Sequence, residues 1–195
     1  MKKIVIIGPE STGKSTLCEK LATHFHTRWC PEYAREYLQL HGTDYSYDTL
    51  LTIAKGQLAL EDKYIHELEQ QATTASARLS NDASALSTQH SPLLFIDTDM
   101  YVMNVWCKFV FGKTHSWILN QIIERKYDLY LLCNVDVPWV KDGLREYPDL
   151  ARRAKLYNIY KEIMINQPVP WADISGNYEE RFGKAVAAVE NCLKL

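Results

Sequence analysis

Eight residues near the start of the chain carry the most legible chemistry: Gly8-Pro9-Glu10-Ser11-Thr12-Gly13-Lys14-Ser15, the pattern GxxxxGKS. Such a stretch suits a cradle of backbone N–H groups around phosphate oxygens, with glycine where a β-carbon would obstruct the turn or the ligand. Lys14 would reach the β- and γ-phosphates of a nucleoside triphosphate such as ATP, and the Ser15 hydroxyl would take a place on Mg²⁺. Glu10, Ser11, Thr12 and Thr16 belong to the same wrapping segment. The next candidates are carboxylates. Asp97 closes an apolar run where a carboxylate can hold Mg²⁺ directly or through water, and Asp99 follows two residues later. One of these two aspartates would cap the next helix while the other serves the site. Glu32, just past Trp29-Cys30-Pro31, could accept a proton from an attacking hydroxyl; a solvated glutamate in a first helical turn is the competing reading. Arg145, Arg152 and Arg153 could offset negative charge on a transferring phosphoryl group, and Arg145 in Asp142-Gly143-Leu144-Arg145 is the strongest of the three. Tyr33, Tyr101 and Trp106 are candidates to stack on a flat ring, although packing is the default for any one of them.

Elements of alternating type must position these groups. Lys2–Ile7 is a β-branched apolar run that reads as a buried strand, and from Thr16 the period changes, with Leu17, Leu21 and Phe25 on one helical face. Thr27–Cys30 reads as a second strand and Glu32–Leu38 as a helix closed by Gly42. Asp44 or Ser46 could cap a long helix from about Tyr47, with Leu51, Ala54, Leu58, Ile65 and Leu68 inward and Glu61, Lys63, Glu67 and Glu69 toward water. Ala72–His90 is rich in Ala, Ser and Thr, which predicts a mobile surface insertion over about 72–91; an Ala-rich continuation of the helix is the alternative. Strands follow at Pro92–Ile96, Tyr127–Cys133 and Val169–Ile174. Between and after them come helices over Met100–Phe111, Ser116–Arg125, from Asp149, and Tyr178–Leu193. The alternation predicts an α/β fold: a five-stranded parallel sheet with helices on both faces, three layers of the P-loop NTPase kind. In such a sheet ligands gather at the carboxyl ends of the strands, so the P-loop, Glu32 and Arg35, Asp97 and Asp99, and the Asp136–Arg145 connection should border one cleft.

Composition narrows the function. Lys plus Arg number 22 and Asp plus Glu 24, a formal charge of −2, so no basic excess argues for nucleic acid. The five cysteines are scattered and never spaced CxxC, which fits a reducing cytoplasm rather than a disulfide framework or a zinc site. No apolar run approaches membrane-spanning length, and 195 residues suit one domain, 1–195. A GTPase would read Asn-Lys-x-Asp after the fourth strand, where this chain reads Asn134-Val135-Asp136. An AAA-type motor would want a paired Asp-Glu and a helical lid domain; Asp97-Thr98-Asp99 and the remaining length supply neither. A small-molecule kinase fits, working by positioning and electrostatics. The oligomeric state is not legible in the sequence.

Gly8–Ser15, Pro31-Glu32-Tyr33-Ala34-Arg35-Glu36, Phe95–Asp99 and Asp142–Arg145 occur together and in this order, and the chain resembles the ribosylnicotinamide kinase domain of NadR-type proteins. The resemblance implies a nucleoside-monophosphate-kinase-like sheet and transfer of the ATP γ-phosphate to the 5′-hydroxyl of nicotinamide riboside, giving nicotinamide mononucleotide. For such a transfer the residues themselves suggest Lys14, Glu32, Asp97 and Arg145 as catalytic, with Glu32 or Asp97 to orient or deprotonate the hydroxyl, Ser15 and Asp97 around Mg²⁺, and Glu32, Tyr33, Arg35, Asp97 and Asp99 on the acceptor side. Family members usually carry an adenylyltransferase domain ahead of the kinase, which would put the second NAD-forming step elsewhere. A kinase of another nucleoside, and a nucleotide-dependent ATPase or binding module, are the alternatives.

Overall fold

The computed structural model describes residues 1–79, 92–141, 143 and 149–194. Its order is β1 (Lys2–Ile7), α1 (Lys14–His24), β2 (Arg28–Cys30), α2 (Tyr33–His41), α3 (Tyr47–Leu79), β3 (Leu93–Asp97), α4 (Met100–Phe111), α5 (Ser116–Glu124), β4 (Leu129–Cys133), α6 (Leu150–Asn166), β5 (Trp171–Ile174) and α7 (Tyr178–Leu193). The five strands form one sheet in the order β2-β3-β1-β4-β5, and every neighbouring pair is parallel. β1 is central. Ile4 pairs with Phe95 on one side and Leu129 on the other, so both outer halves of the sheet are registered against the strand that feeds the P-loop.

Alternation along the strands divides the core. Ile4, Ile6, Phe95, Leu129 and Leu131 face α1 and α7, whose Leu17, Leu21, Ala185 and Val189 cover them. Val5, Ile7, Leu94, Ile96 and Leu132 face the other way, toward Leu68 of α3, Val102 and Val105 of α4, and Leu156 and Met164 of α6. Both faces are therefore apolar, as parallel strands linked by crossover helices require. A third cluster joins helices to one another: Leu38, Ile53, Leu58, Met103 and Ile118 pack α2, α3, α4 and α5 beyond the β2 edge.

Caps fix where several helices begin. Ser46 Oγ accepts from Thr49 N at 3.2 Å before α3, Asp149 accepts from Ala151 N and Arg152 N before α6, and Asn177 forms a capping box with Glu180 before α7. α3 continues through the Ala-rich residues to Leu79, so up to there the stretch is helix rather than the start of a surface excursion. The remainder of the expected insertion, 80–91, lies outside the described residues. Glu61 needs correcting. It does not face water; its side chain is fully buried, because it continues the spacing of Leu58, Ile65 and Leu68. Tyr127 donates to its Oε2 at 2.9 Å, while Lys3 Nζ and Arg125 NH1 each stand 3.6 Å from Oε1. Burial pushes its carboxyl above the usual range, against the pull of Lys3, Tyr127 and Arg125. Glu67, a second residue assigned to water, pairs with Arg28. No described helix is long and apolar enough to cross a membrane.

Candidate active site

The P-loop lies across the carboxyl end of β1, and its glycines have separate reasons. Gly8 has φ +140°, and a β-carbon there would sit 2.6 Å from the Cys133 carbonyl of β4. Gly13, with φ +80°, meets nothing within 4 Å, so conformation and not space selects glycine there. Ser11 is also left-handed, at φ +56°. Thr12 Oγ1 and Lys14 Nζ both donate to the Pro9 carbonyl, at 2.7 and 3.1 Å. Among the described residues no side chain caps α1, which leaves the first-turn N–H groups and the positive end of the helix facing the loop's concave side.

Ser15 Oγ donates to Asp97 Oδ2 at 2.5 Å. Asp97 is fully buried at the tip of β3, and burial first, then the Glu32 charge, push its carboxyl up to about 6; Lys14, Ser15 and Thr98 pull the other way. Thr98 stands between the two acids, its Oγ1 3.4 Å from both Glu32 Oε1 and Asp97 Oδ1. A β-branched residue at φ +80° is strained, and here the strain falls at the strand tip that presents Asp97. Glu32 is the N-cap of α2, yet its side chain makes no capping bond and instead lines the cavity beside the P-loop. Gln57 of α3 locks this corner. Its Oε1 accepts from Tyr33 N at 2.7 Å, while Nε2 donates to Pro31 O at 3.3 Å and Asp97 O at 3.5 Å.

The cavity holds about 440 Å³. Residues 8–16 form one side, Glu32 and Arg35 enter from α2, and Trp29 of β2, Trp106 and Phe109 of α4 and Tyr160 of α6 contribute rings from three separate elements. Trp106 Nε1 donates to Tyr45 Oη at 2.9 Å, which fixes its indole plane. The P-loop and an aromatic, acid-bearing wall thus share one space.

The other predicted residues are placed as follows. Asp99 is the capping aspartate: Oδ1 accepts from Tyr101 N at 3.0 Å and Val102 N at 3.3 Å, and Tyr130 donates to Oδ2 at 2.9 Å. Buried on these partners, it does not line the cavity, and burial raises its carboxyl to about 7. Tyr33 turns its ring over Gly56 of α3, a position open only because Gly56 lacks a side chain, and it too is absent from the cavity wall. Tyr101 packs edge-on against Tyr130. Arg153 is buried and donates to the carbonyls of Ser11 (3.2 Å) and Val137 (3.3 Å), so it braces the P-loop from outside instead of reaching into the cavity. Arg152 is exposed, and Arg145 lies outside the described residues.

Sequence reasoning missed Gln57, Arg181, Trp29, Leu156 and Tyr160. Arg181 NH2 donates to the Thr12 carbonyl at 2.7 Å, and NH1 donates to Asp136 Oδ1 at 2.6 Å. One signal was available for the two polar residues. Gln57 sits beside Ala54 and Leu58, and Arg181 precedes Ala185, Val189 and Cys192 at helical spacing, so each is polar on an apolar stripe. The rings carry no such mark, because they converge from distant segments.

A family model described as an AAA domain matches residues 3–181. The chain belongs to this family. As an AAA domain it keeps the strand end Asp97-Thr98-Asp99, without the paired Asp-Glu of a motor. It is 29% identical over 198 residues to the "Trifunctional NAD biosynthesis/regulator protein NadR" of Escherichia coli (strain K12), and equally to the protein of that name from Salmonella typhimurium. The alignments cover 99% of this chain and 43% of each relative, so the AAA domain spans less than half their length. Among solved structures, NadR protein in complex with NR superposes with a TM-score of 0.73 and 20% identity, and NadR protein in complex with NAD and AMP-PNP with 0.69 and 20%. Each superposition covers all of this chain and 50% of the other, and confirms the three-layer P-loop fold.

Proposed function

We propose that this chain is a ribosylnicotinamide kinase, transferring the γ-phosphate of ATP to the 5′-hydroxyl of nicotinamide riboside to give nicotinamide mononucleotide and ADP. The observation that carries the reading is that the P-loop with Lys14 at the start of an uncapped helix, Glu32 and a set of aromatic rings line one cavity together. Relatives named for NAD biosynthesis, and a structural neighbour bound to NR, supply the acceptor.

In this reading the amides of residues 8–16 and the end of α1 hold the triphosphate, and Lys14 leaves the Pro9 carbonyl for the β- and γ-oxygens. The acceptor oxygen bonds to the γ-phosphorus as the bridge to the β-phosphate breaks, and the hydroxyl proton passes to a carboxylate. Glu32 is the better base, since it lines the cavity whereas Asp97 is buried and engaged by Ser15. Two hard oxygen donors side by side, Ser15 Oγ and Asp97 Oδ2, suit Mg²⁺, which keeps most of its coordination for water and phosphate. Mg²⁺ held by these two would neutralise charge on the β- and γ-oxygens. Arg145 keeps its role of steadying the phosphoryl group on the sequence argument alone. The ring cation of nicotinamide riboside suits a wall that combines Glu32 with Trp106 and Tyr160. All five cysteines are buried and free, which supports a reducing, cytoplasmic setting.

Transfer of label from the γ-phosphate of ATP to a panel of nucleosides tests this, with nicotinamide riboside expected as the preferred acceptor. Label on uridine or thymidine with nicotinamide riboside inert would remove the acceptor and spare the kinase. Phosphate release that no nucleoside accelerates would favour an ATPase module instead.

A further inference from the structure

We propose that Arg181 is a positioning residue for the P-loop, holding the Thr12 peptide from behind so that the loop's N–H groups stay turned toward the nucleotide; this rests on the phosphate-binding reading above. A nest of inward N–H groups forces the intervening carbonyls outward. Here left-handed Ser11 and Gly13 flank Thr12, and Thr12 is 1% exposed, so its outward carbonyl cannot turn to water. Arg181, itself 4% exposed, fills that need at 2.7 Å. The same guanidinium is pinned on its other side, with NH1 at 2.6 Å from Asp136 Oδ1 and 3.3 Å from the Asn134 carbonyl. Asp136 Oδ2 in turn accepts from Gly176 N at 2.5 Å. One rigid fork therefore ties the loop to the tips of β4 and β5, and its fixed geometry cannot be matched by a single ammonium. The neighbouring Ser11 carbonyl is met by Arg153 at 3.2 Å, so successive outward carbonyls of the loop both end on guanidinium groups. Neither arginine lines the cavity.

The role separates from simple scaffolding because it acts on the phosphates and not on the nucleoside. Calorimetric affinities for ATP and for adenosine, measured on wild type, Arg181→Gln and Arg181→Lys with circular dichroism to confirm folding, read it out. Arg181→Gln should weaken ATP binding about tenfold or more, since a displaced donor set loses the benefit of orientation, with adenosine changed less than about twofold. Arg181→Lys keeps the charge but not the fork, and should show the same selective loss to a smaller degree; it decides the question if the glutamine variant does not fold. Equal losses for both ligands, or no loss for either, in a folded variant would overturn the positioning role. Wild type binding ATP no more tightly than adenosine would instead sink the phosphate-loop reading itself.

Discussion

Lys14 rests on the Pro9 carbonyl, a partner it must give up when a triphosphate arrives. Because that contact is half-exposed and its acceptor is an uncharged carbonyl, the side chain contributes little to folding and much to the reaction. Lys14→Ala should therefore unfold near the wild-type temperature while losing about 3–4 kcal/mol of transition-state stabilisation, the scale of a deleted charged clamp, seen as a fall in kcat/KM. Near-normal turnover would remove Lys14 from the mechanism. At this scale the sequence was most informative where the backbone motif dictates the residue. GxxxxGKS fixed Gly8, Gly13, Lys14 and Ser15 together, and the strand end placed Asp97 beside Ser15, 82 residues away. It was least informative for Tyr33 and Asp99, whose proximity to site residues along the chain did not decide their direction. Tyr33 turns onto Gly56, and Asp99 is drawn to the first N–H groups of α4 and the Tyr130 hydroxyl.

Helix periodicity, taken without regard to residue type, would have located more than it did. Gln57, Glu61, Arg153 and Arg181 all occupy buried stripes, yet the sequence reading gives Gln57 and Arg181 no role, turns Glu61 to water and sends Arg153 to the phosphoryl group, because charge or amide suggests solvent or ligand. Glu61 makes the consequence measurable. Its folded carboxyl lies above the ordinary value near 4.3, so the native state binds its proton more readily and stability falls as pH rises through that window. Glu61→Gln mimics the protonated form, and its melting temperature relative to wild type should climb between pH 4 and pH 8; parallel curves would mean that folding leaves the group's protonation untouched. α2 and α3 offer a second test. Gly56→Ala gains up to about 1 kcal/mol of helix propensity, but the new methyl would overlap the Tyr33 ring, an overpacking cost of about 1–3 kcal/mol. Net destabilisation in urea is expected, with a raised KM for the acceptor because α2 carries Glu32 and Arg35; unchanged values for both would show that Tyr33 moves aside freely.

For the molecule as a whole, strands that alternate with crossover helices made the five-stranded parallel sheet legible, whereas the order that puts β1 at its centre comes from the structure. The aromatic wall of the cavity was legible only at Trp106, since Trp29 and Tyr160 join it only once three elements have packed. Binding of a nucleotide to the folded state alone should raise stability by about 2.7 kcal/mol at a hundredfold excess over Kd, or about 5–10 °C in Tm for a chain of this size. A thermal-shift series with a non-hydrolysable ATP analogue should reach that range, and nucleosides that fill the remaining volume should add to it. An unmoved Tm at saturating analogue would count against a nucleotide site. Two of the five tryptophans stand in the cavity wall, and the Tyr45 hydroxyl holds one of them in a single orientation. The protein therefore carries its own optical probe: intrinsic emission from Trp29 and Trp106 should dim when an electron-poor pyridinium settles against them, reporting acceptor occupancy in real time without any attached dye.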